Sequence, residues 1–449
     1  MSNPKTYPAK SRLVKYSLIR VFTLLSLGLA FLPPASGQRV VDDPAFARIP
    51  FDQWLGERDQ GHFHWTLTVP RAELSFHQRL MARIQARIDG RDLDGRRGDG
   101  QLVFFVQITD HDGARYRNHG VIELSKLDEN IKSANLEYYQ RAFFLPGDFQ
   151  LAVAILETGT GDHSVRRMQL RVPPPQREAL PGLWSDLPAV EFLTSADSPE
   201  SWYLSEIQGR LHWGMSGQSP ARVNVILNVV PSAPGVGAHR TLSGDLAALL
   251  PTLKAISQLG SSSISENLEL IDMSRRRAVF RQDDKKELDW PRLKASLSDA
   301  NTASIDIHSL SERHHDAQFF VSQVRGMLRS SEKPCALVVL TPPVAFDSGE
   351  DLQPIPTEAL TACHVVYIRY HALVQPLNPF GPQTGARNHV PRMGGPMPRG
   401  PAPQDLIDQL EATLKPLNPK VFDVTTPGEM AKALADLEKS LQPLDGARK

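Results

Sequence analysis

Charge of one sign and cysteine are both scarce in this 449-residue chain. Fifty Lys and Arg balance fifty Asp and Glu. There is therefore no basic excess of the kind that marks a nucleic-acid binder, and no general attraction to a membrane surface. Of the two cysteines, neither follows the N-terminal apolar run, so no lipoprotein anchor is expected. Beyond that run no stretch approaches the roughly 20 apolar residues of a spanning helix, and no transmembrane span is expected once the N-terminus is removed. Short catalytic motifs are missing as well. The chain has no Gly-x-Ser-x-Gly elbow, no His-Glu-x-x-His and no protein-kinase set. Gly235-Val236-Gly237 lacks the third glycine of a dinucleotide loop, and no P-loop lysine follows it, so it reads as a flexible turn. No catalytic residue and no cofactor are assigned.

Proline, by contrast, is abundant: 36 residues, about 8% against an average near 5%, which predicts linkers or a disordered stretch. The first 37 residues read as a secretory signal. Lys5, Lys10, Arg12, Lys15 and Arg20 form a basic start, residues 21–32 are apolar, and Pro33-Pro34-Ala35-Ser36-Gly37 supplies a helix break and small residues. Cleavage is expected before Gln38, leaving a protein that is secreted, periplasmic or in the cell envelope. An uncleaved anchor is the alternative.

After an N-terminal segment, 38–60, residues 61–173 predict an antiparallel β-sandwich. Leu74, Phe76, Gln78, Leu80, Ala82, Ile84, Ala86 and Ile88 alternate as one long half-buried strand should. Further strands are expected over 102–110, 120–127, 138–145, 148–157 and 163–172. Residues 174–219 read as a linker, but Trp184, Trp202 and Trp213 argue that it packs on something. Strands and helices then alternate over 220–445, which predicts a doubly wound α/β domain with helices on both faces of a mostly parallel sheet. Buried strands are expected at 223–230, 336–340 and 365–368, a hairpin around Arg275-Arg276-Arg277, and a short strand at 421–424. The stripe Leu246, Leu249, Leu250, Leu253, Ile256 predicts a helix kinked or broken at Pro251. Thr426, Pro427 and Glu429 predict the start of the last helix, with Met430, Leu434, Leu437 and Leu441 on one face.

This order of elements resembles the von Willebrand factor A-like domain, and the layout of signal, sandwich and A-like domain is similar to exported bacterial proteins called vWFA-related. The likeness covers about half the chain. It implies a Rossmann-like fold whose metal loop is degenerate. In the family an Asp-x-Ser-x-Ser loop, a Thr and a second Asp hold Mg²⁺ through oxygens. The matching loop here is Asn228-Val229-Val230-Pro231-Ser232, and the second acidic position falls at Pro342, after Thr341. Asn228, Ser232 and Thr341 are left as neutral oxygens, so no metal is expected. The family's strand order also makes the strands that begin at Cys335 and Cys363 parallel neighbours. Their sulfurs are then placed at one end of the sheet, as a disulfide or as two buried thiols.

Other groups carry bland readings. His62 and His64 fit a solvated strand edge, and His314-His315-Asp316 a helix start. Asp110, Asp112 and Gly113 fit a turn between strands. The Pro- and Gly-rich stretch 375–403 holds Arg387, Arg392 and Arg399 without an acid. It is expected to be a disordered insertion, read functionally as a basic arm for an acidic partner. The expected role is binding of a protein or envelope partner, or an envelope structural role, through a metal-independent A-like domain. The alternative is an exported hydrolase whose residues no motif reveals.

Overall fold

The structure is a computed structural model. It describes residues 44–57, 61–175 except 97 and 99, 180–193 except 181, 203–214, 221–229, 238–259, 264–300 except 286, 315–329, 335–344, 355, 363–372 and 408–441. From Val41 onward the chain forms one compact unit. It is a mixed α/β structure with two antiparallel sheets in its first half and a six-stranded sheet in its second. No helix among the described residues is long and apolar enough to cross a membrane.

The antiparallel half contains β1 (Trp65–Thr68), β2 (Glu73–Leu74), β3 (Leu80–Asp89), β4 (Gln101–Thr109), β5 (Arg115–Glu123), β6 (Asn135–Phe144), β7 (Gly147–Glu157), β8 (His163–Val172) and β9 (Val190–Phe192). One sheet runs β1-β3-β6-β9 with β2 on β3; the other runs β5-β4-β7-β8. Alternate residues of β3, Leu80, Ala82, Ile84, Ala86 and Ile88, are buried. They share a core with Phe104, Val106, Val153 and Ile155 of the facing sheet. That is the two-sided packing which period-2 alternation requires. The outer face of the second sheet is covered too. Phe46, Phe51 and Trp54 of the N-terminal segment, the last two in the short helix α1 (Phe51–Trp54), cluster on Val103, Phe105, Ala152 and Ala154.

Several sequence expectations shift here. The single strand expected from Leu74 to Ile88 is a hairpin, because Gln78 takes φ 59° and folds the chain back between β2 and β3. The Ser75 hydroxyl and the Ser75 N–H both donate to the Arg79 carbonyl, at 2.8 and 2.9 Å, and close the turn. The strand expected at 120–127 begins earlier, at Arg115, and gives way to a 3₁₀ turn at Leu124–Lys126. His62 and His64 lie outside any strand and face separate carboxylates, Asp162 at 3.5 Å and Asp92 at 3.1 Å. Asp110 does close the β4–β5 turn, accepting from the N–H groups of Asp112 and Ala114. The stretch read as a linker contributes β9 to the first sheet and packs Leu183, Leu187, Leu211 and Trp213 into the core of the second half.

That second half contains β10 (Ala221–Asn228), α2 (Ala238–Ile256), β11 (Ile264–Asp272), β12 (Arg277–Lys285), α3 (Trp290–Ala300), α4 (Asp316–Arg329), β13 (Cys335–Thr341), β14 (Cys363–Tyr370), α5 (Gln409–Leu414), β15 (Lys420–Val424) and α6 (Pro427–Leu441). The sheet order is β12-β11-β10-β13-β14-β15, with only β12 antiparallel. Every residue of β13 is buried, as a strand covered on both faces must be. Leu249, Leu293 and Leu434, from α2, α3 and α6, pack on one face; Phe320, Val324 and Leu410, from α4 and α5, pack on the other. Of the kink or break expected at Pro251, a break does not occur: α2 runs through it, and the Thr252 hydroxyl donates to the Ala248 carbonyl at 2.8 Å. At α6 the Glu429 carboxylate accepts from the Thr426 N–H at 3.0 Å while the Glu429 N–H donates to the Thr426 hydroxyl at 3.3 Å, a reciprocal cap.

Candidate functional site at the carboxyl edge of the parallel sheet

Because β10, β13 and β14 run parallel, Asn228, Thr341 and Tyr370 all end at one edge. The connections over 229–237, 342–362 and 371–408 leave the sheet there. In open α/β sheets this edge is where ligands bind. Its centre is neutral. Asn228 and Thr341 are 3% and 0% exposed. The Asn228 amide donates to the Thr341 hydroxyl at 2.9 Å, and that hydroxyl donates onward to the Pro342 carbonyl at 2.8 Å. Ser232, the third residue of the expected loop, lies outside the described residues, as do Gly235-Val236-Gly237 and His314.

A carboxylate that sequence reasoning missed, Asp245 of α2, is buried near Tyr370. Burial, and then the Asp245 charge, push the Tyr370 hydroxyl up to about 12.

The root of the longest connection is held by Arg369. Its guanidinium donates to Asp423 at 2.6 and 3.0 Å, to Asp408 at 2.8 Å and to Glu411 at 3.0 Å. The hydrogen bonds to Asp423 are the main reason its pKa is raised further, and they hold the Asp423 carboxyl below its usual range. Asp408 in turn accepts from the Tyr367 hydroxyl at 2.7 Å and caps α5 through the Leu410 N–H at 3.2 Å. Burial first, and Asp408 second, raise the Tyr367 hydroxyl. The Gln409 N–H reaches the Val344 carbonyl at 3.0 Å, which ties in the chain leaving β13. The His371 ring lies 2.8 Å from Asp423. One cation thus gathers the last residues before the 373–407 stretch and the first residues after it. Arg387, Arg392 and Arg399 themselves lie outside the described residues.

The antiparallel half reaches the same edge. Phe76, in the β2–β3 turn, meets Tyr370 edge-on at 5.5 Å, and the Gln78 amide donates to the Pro427 carbonyl at 3.4 Å. Trp184 donates to the Gln78 carbonyl at 2.7 Å. A cleft of about 510 Å³ opens beside this contact, walled by Leu74, Gln78, Trp184, Gly428 and Lys432.

At the opposite, amino edge, Cys335 and Cys363 are register partners on β13 and β14, with Cα atoms 4.5 Å apart, and form a disulfide. The strand order implied by the family resemblance makes these strands parallel neighbours, and counting from their starts then puts the two residues at one end of the sheet.

No family model matches this chain, and no curated protein does. Among solved structures, a structural-genomics target designated SoR45 is similar at 13% identity, over 26% of this chain and 91% of its own, with a TM-score of 0.18. The putative ApaA protein of Bordetella pertussis is similar at 15% identity, over 26% of this chain and 97% of its own, also with a TM-score of 0.18.

Proposed function

We propose that the chain is an exported, non-enzymatic binding protein whose second half is a von Willebrand factor A-like domain engaging an acidic protein partner at its carboxyl edge without a metal. The observation that carries this reading is the Asn228–Thr341 hydrogen bond at the centre of that edge. Where the resembled family sets its first carboxylate for Mg²⁺, this chain sets the Asn228 amide, already hydrogen-bonded to the Thr341 hydroxyl, and the second acidic position falls at Pro342. Hard divalent cations need anionic oxygen donors. The sheet order, numbered within this half as 3-2-1-4-5-6, is that of a doubly wound fold and supports the assignment. Binding then falls to the loops, which is where scaffolded recognition residues collect. Arg387, Arg392 and Arg399 supply positive charge on the longest of them.

Deleting 375–403 should leave the thermal midpoint unchanged and weaken capture of the partner from an envelope extract by roughly tenfold at low salt. The loss should shrink as salt rises, because the screening length falls from about 30 Å at 0.01 M to about 3 Å at 1 M. Partner capture that is unaltered at every salt concentration defeats this reading.

Export is supported by the basic and apolar pattern of residues 1–37 and by the Cys335–Cys363 bond, which an oxidising compartment permits. Mass spectrometry of unreduced protein recovered from the envelope fraction should show a chain beginning at Gln38 and one linked peptide pair containing both cysteines. A reduced chain beginning at Met1 in the cytoplasm contradicts it.

A further inference from the structure

The N-terminal segment 44–57 is held on the sandwich by side chains. Among the described residues, the backbone hydrogen bonds of 46–57 close within the segment, and none joins it to a strand. The Trp54 N–H donates to the Pro50 carbonyl and the Leu55 N–H to the Phe51 carbonyl, both at 3.0 Å. The seat is the outer face of β4 and β7, where Val103, Phe105, Ala152 and Ala154 form an apolar patch. Phe46 and Phe51 meet the Phe105 ring with centres 5.1 and 6.4 Å apart. Trp54 stacks on His163 of β8 at 4.3 Å. All three aromatics of the segment are buried there.

The rim of the seat matches the segment in charge. Asp52 lies 3.2 Å from Arg115 and 3.4 Å from Arg117 of β5, and Glu57 faces His163 at 3.4 Å. The Arg117 guanidinium also covers the Phe46 ring, 5.0 Å from its centre. The face therefore suits a short segment with aromatic residues on one side and acids at its margin. Ordering such a segment costs conformational entropy of the same order as the burial of three aromatics offsets, so the seat is occupied reversibly. Residues 58–64 connect the segment to β1, and it precedes every strand of both sheets. The seat on a second copy offers the same contacts, and exchange of an identical element is a low-cost route to a dimer.

We propose that the outer face of β4 and β7 is a docking site for this segment from a second copy, so that two chains exchange residues 44–57 and form a dimer. The chain itself identifies the occupant: the segment fitted to this face in ring packing and in charge is its own. Each copy gives one segment and receives one, so the association closes as a symmetric pair. The site stands on the antiparallel half and does not depend on the reading of the carboxyl edge.

The test needs no substituted protein. The purified chain is sedimented over a range of concentrations, with and without an excess of a synthetic peptide of residues 44–57. The dimer fraction should rise with protein concentration, and the peptide should return the chain to monomer by filling both seats. A fluorescently labelled copy of the peptide should bind the chain saturably. The same peptide carrying Trp54→Ser should bind at least about tenfold more weakly, as loss of a buried aromatic anchor does, and should leave the dimer intact. The proposal is overturned if the chain stays monomeric at every concentration, or if the dimer survives saturating peptide. Equal action by the Trp54→Ser peptide overturns it too, because the peptide then acts elsewhere than on this face.

Discussion

Replacing His77 by asparagine should remove a large part of the protein's acid sensitivity. His77 sits in the β2–β3 turn, 4% exposed, with its ring 5.1 Å from that of Phe143. Burial is the main cause that lowers its imidazole from 6.5 to about 3, and the positive charges of Arg79 and Lys254 push the same way. The sign follows from linkage. Below pH 6.5 the unfolded chain takes up a proton at this residue, while the folded chain stays neutral until about pH 3. The folded state is therefore fully stable above pH 6.5 with respect to this group and loses stability as pH falls toward 3. The slope for one group is about 1.4 kcal/mol per pH unit. Urea midpoints between pH 7.5 and 4.5 should fall more steeply for the wild type than for His77→Asn, by an amount that grows with each pH unit. Parallel curves would show that His77 is not the group that titrates.

The physical reason for such a residue was hidden in the sequence. Alternation from Leu74 to Ile88 is unbroken, so Phe76 and Gln78 read as inward positions of one strand. The chain instead turns at Gln78, because two hydrogen bonds to the Arg79 carbonyl and one from Trp184 to the Gln78 carbonyl hold a left-handed backbone that a lone pattern does not signal. Where the sequence was legible, the element was covered evenly. The strand at 335–341 is apolar on both faces, and the last helix announces itself through Thr426, Pro427 and Glu429. The family resemblance, through its metal loop and strand order, implied that Asn228 lies near Thr341 and Cys335 beside Cys363, and both pairs are in contact. The Arg369 network could not be read in this way. Its partners Asp408 and Asp423 lie 39 and 54 residues away, on either side of α5, and no motif joins them. The short strand β1 was missed because four residues are too few to show a period.

The largest loss of stability should come from Arg79→Met. The Arg79 side chain is 4% exposed and forms an ion pair with Glu191, itself 13% exposed. Its guanidinium also covers the Phe143 ring, 4.3 Å from the centroid. Burial lowers the Arg79 pKa and Glu191 raises it, so the partner offsets part of the cost of burying a guanidinium that stays charged. Glu191 does more than neutralise a charge. Its carboxylate accepts from the N–H groups of Gln208 at 2.6 Å and Gly209 at 3.2 Å, and so fastens the chain before β10 to the β2–β3 turn. The approach is close: a Cβ on Gly209 would stand 2.7 Å from the Glu191 oxygen and 2.9 Å from Arg79, so the ion pair would have to shift to admit one. Removing one member of a buried pair leaves the other charge uncompensated, which costs about 3–5 kcal/mol. Arg79→Met strands the Glu191 carboxylate, and Glu191→Gln strands the guanidinium. Each should destabilise on that scale in urea unfolding at pH 7. The double variant should be less destabilised than the sum of the two, by about 0.5–3 kcal/mol, because the second change relieves the charge stranded by the first. Arg79→Met should also loosen Phe76 from Tyr370, an aromatic contact by which the turn reaches the carboxyl edge. Strictly additive losses would show that the two side chains stabilise the fold independently, and that the latch between the antiparallel half and the 203–214 segment lies elsewhere.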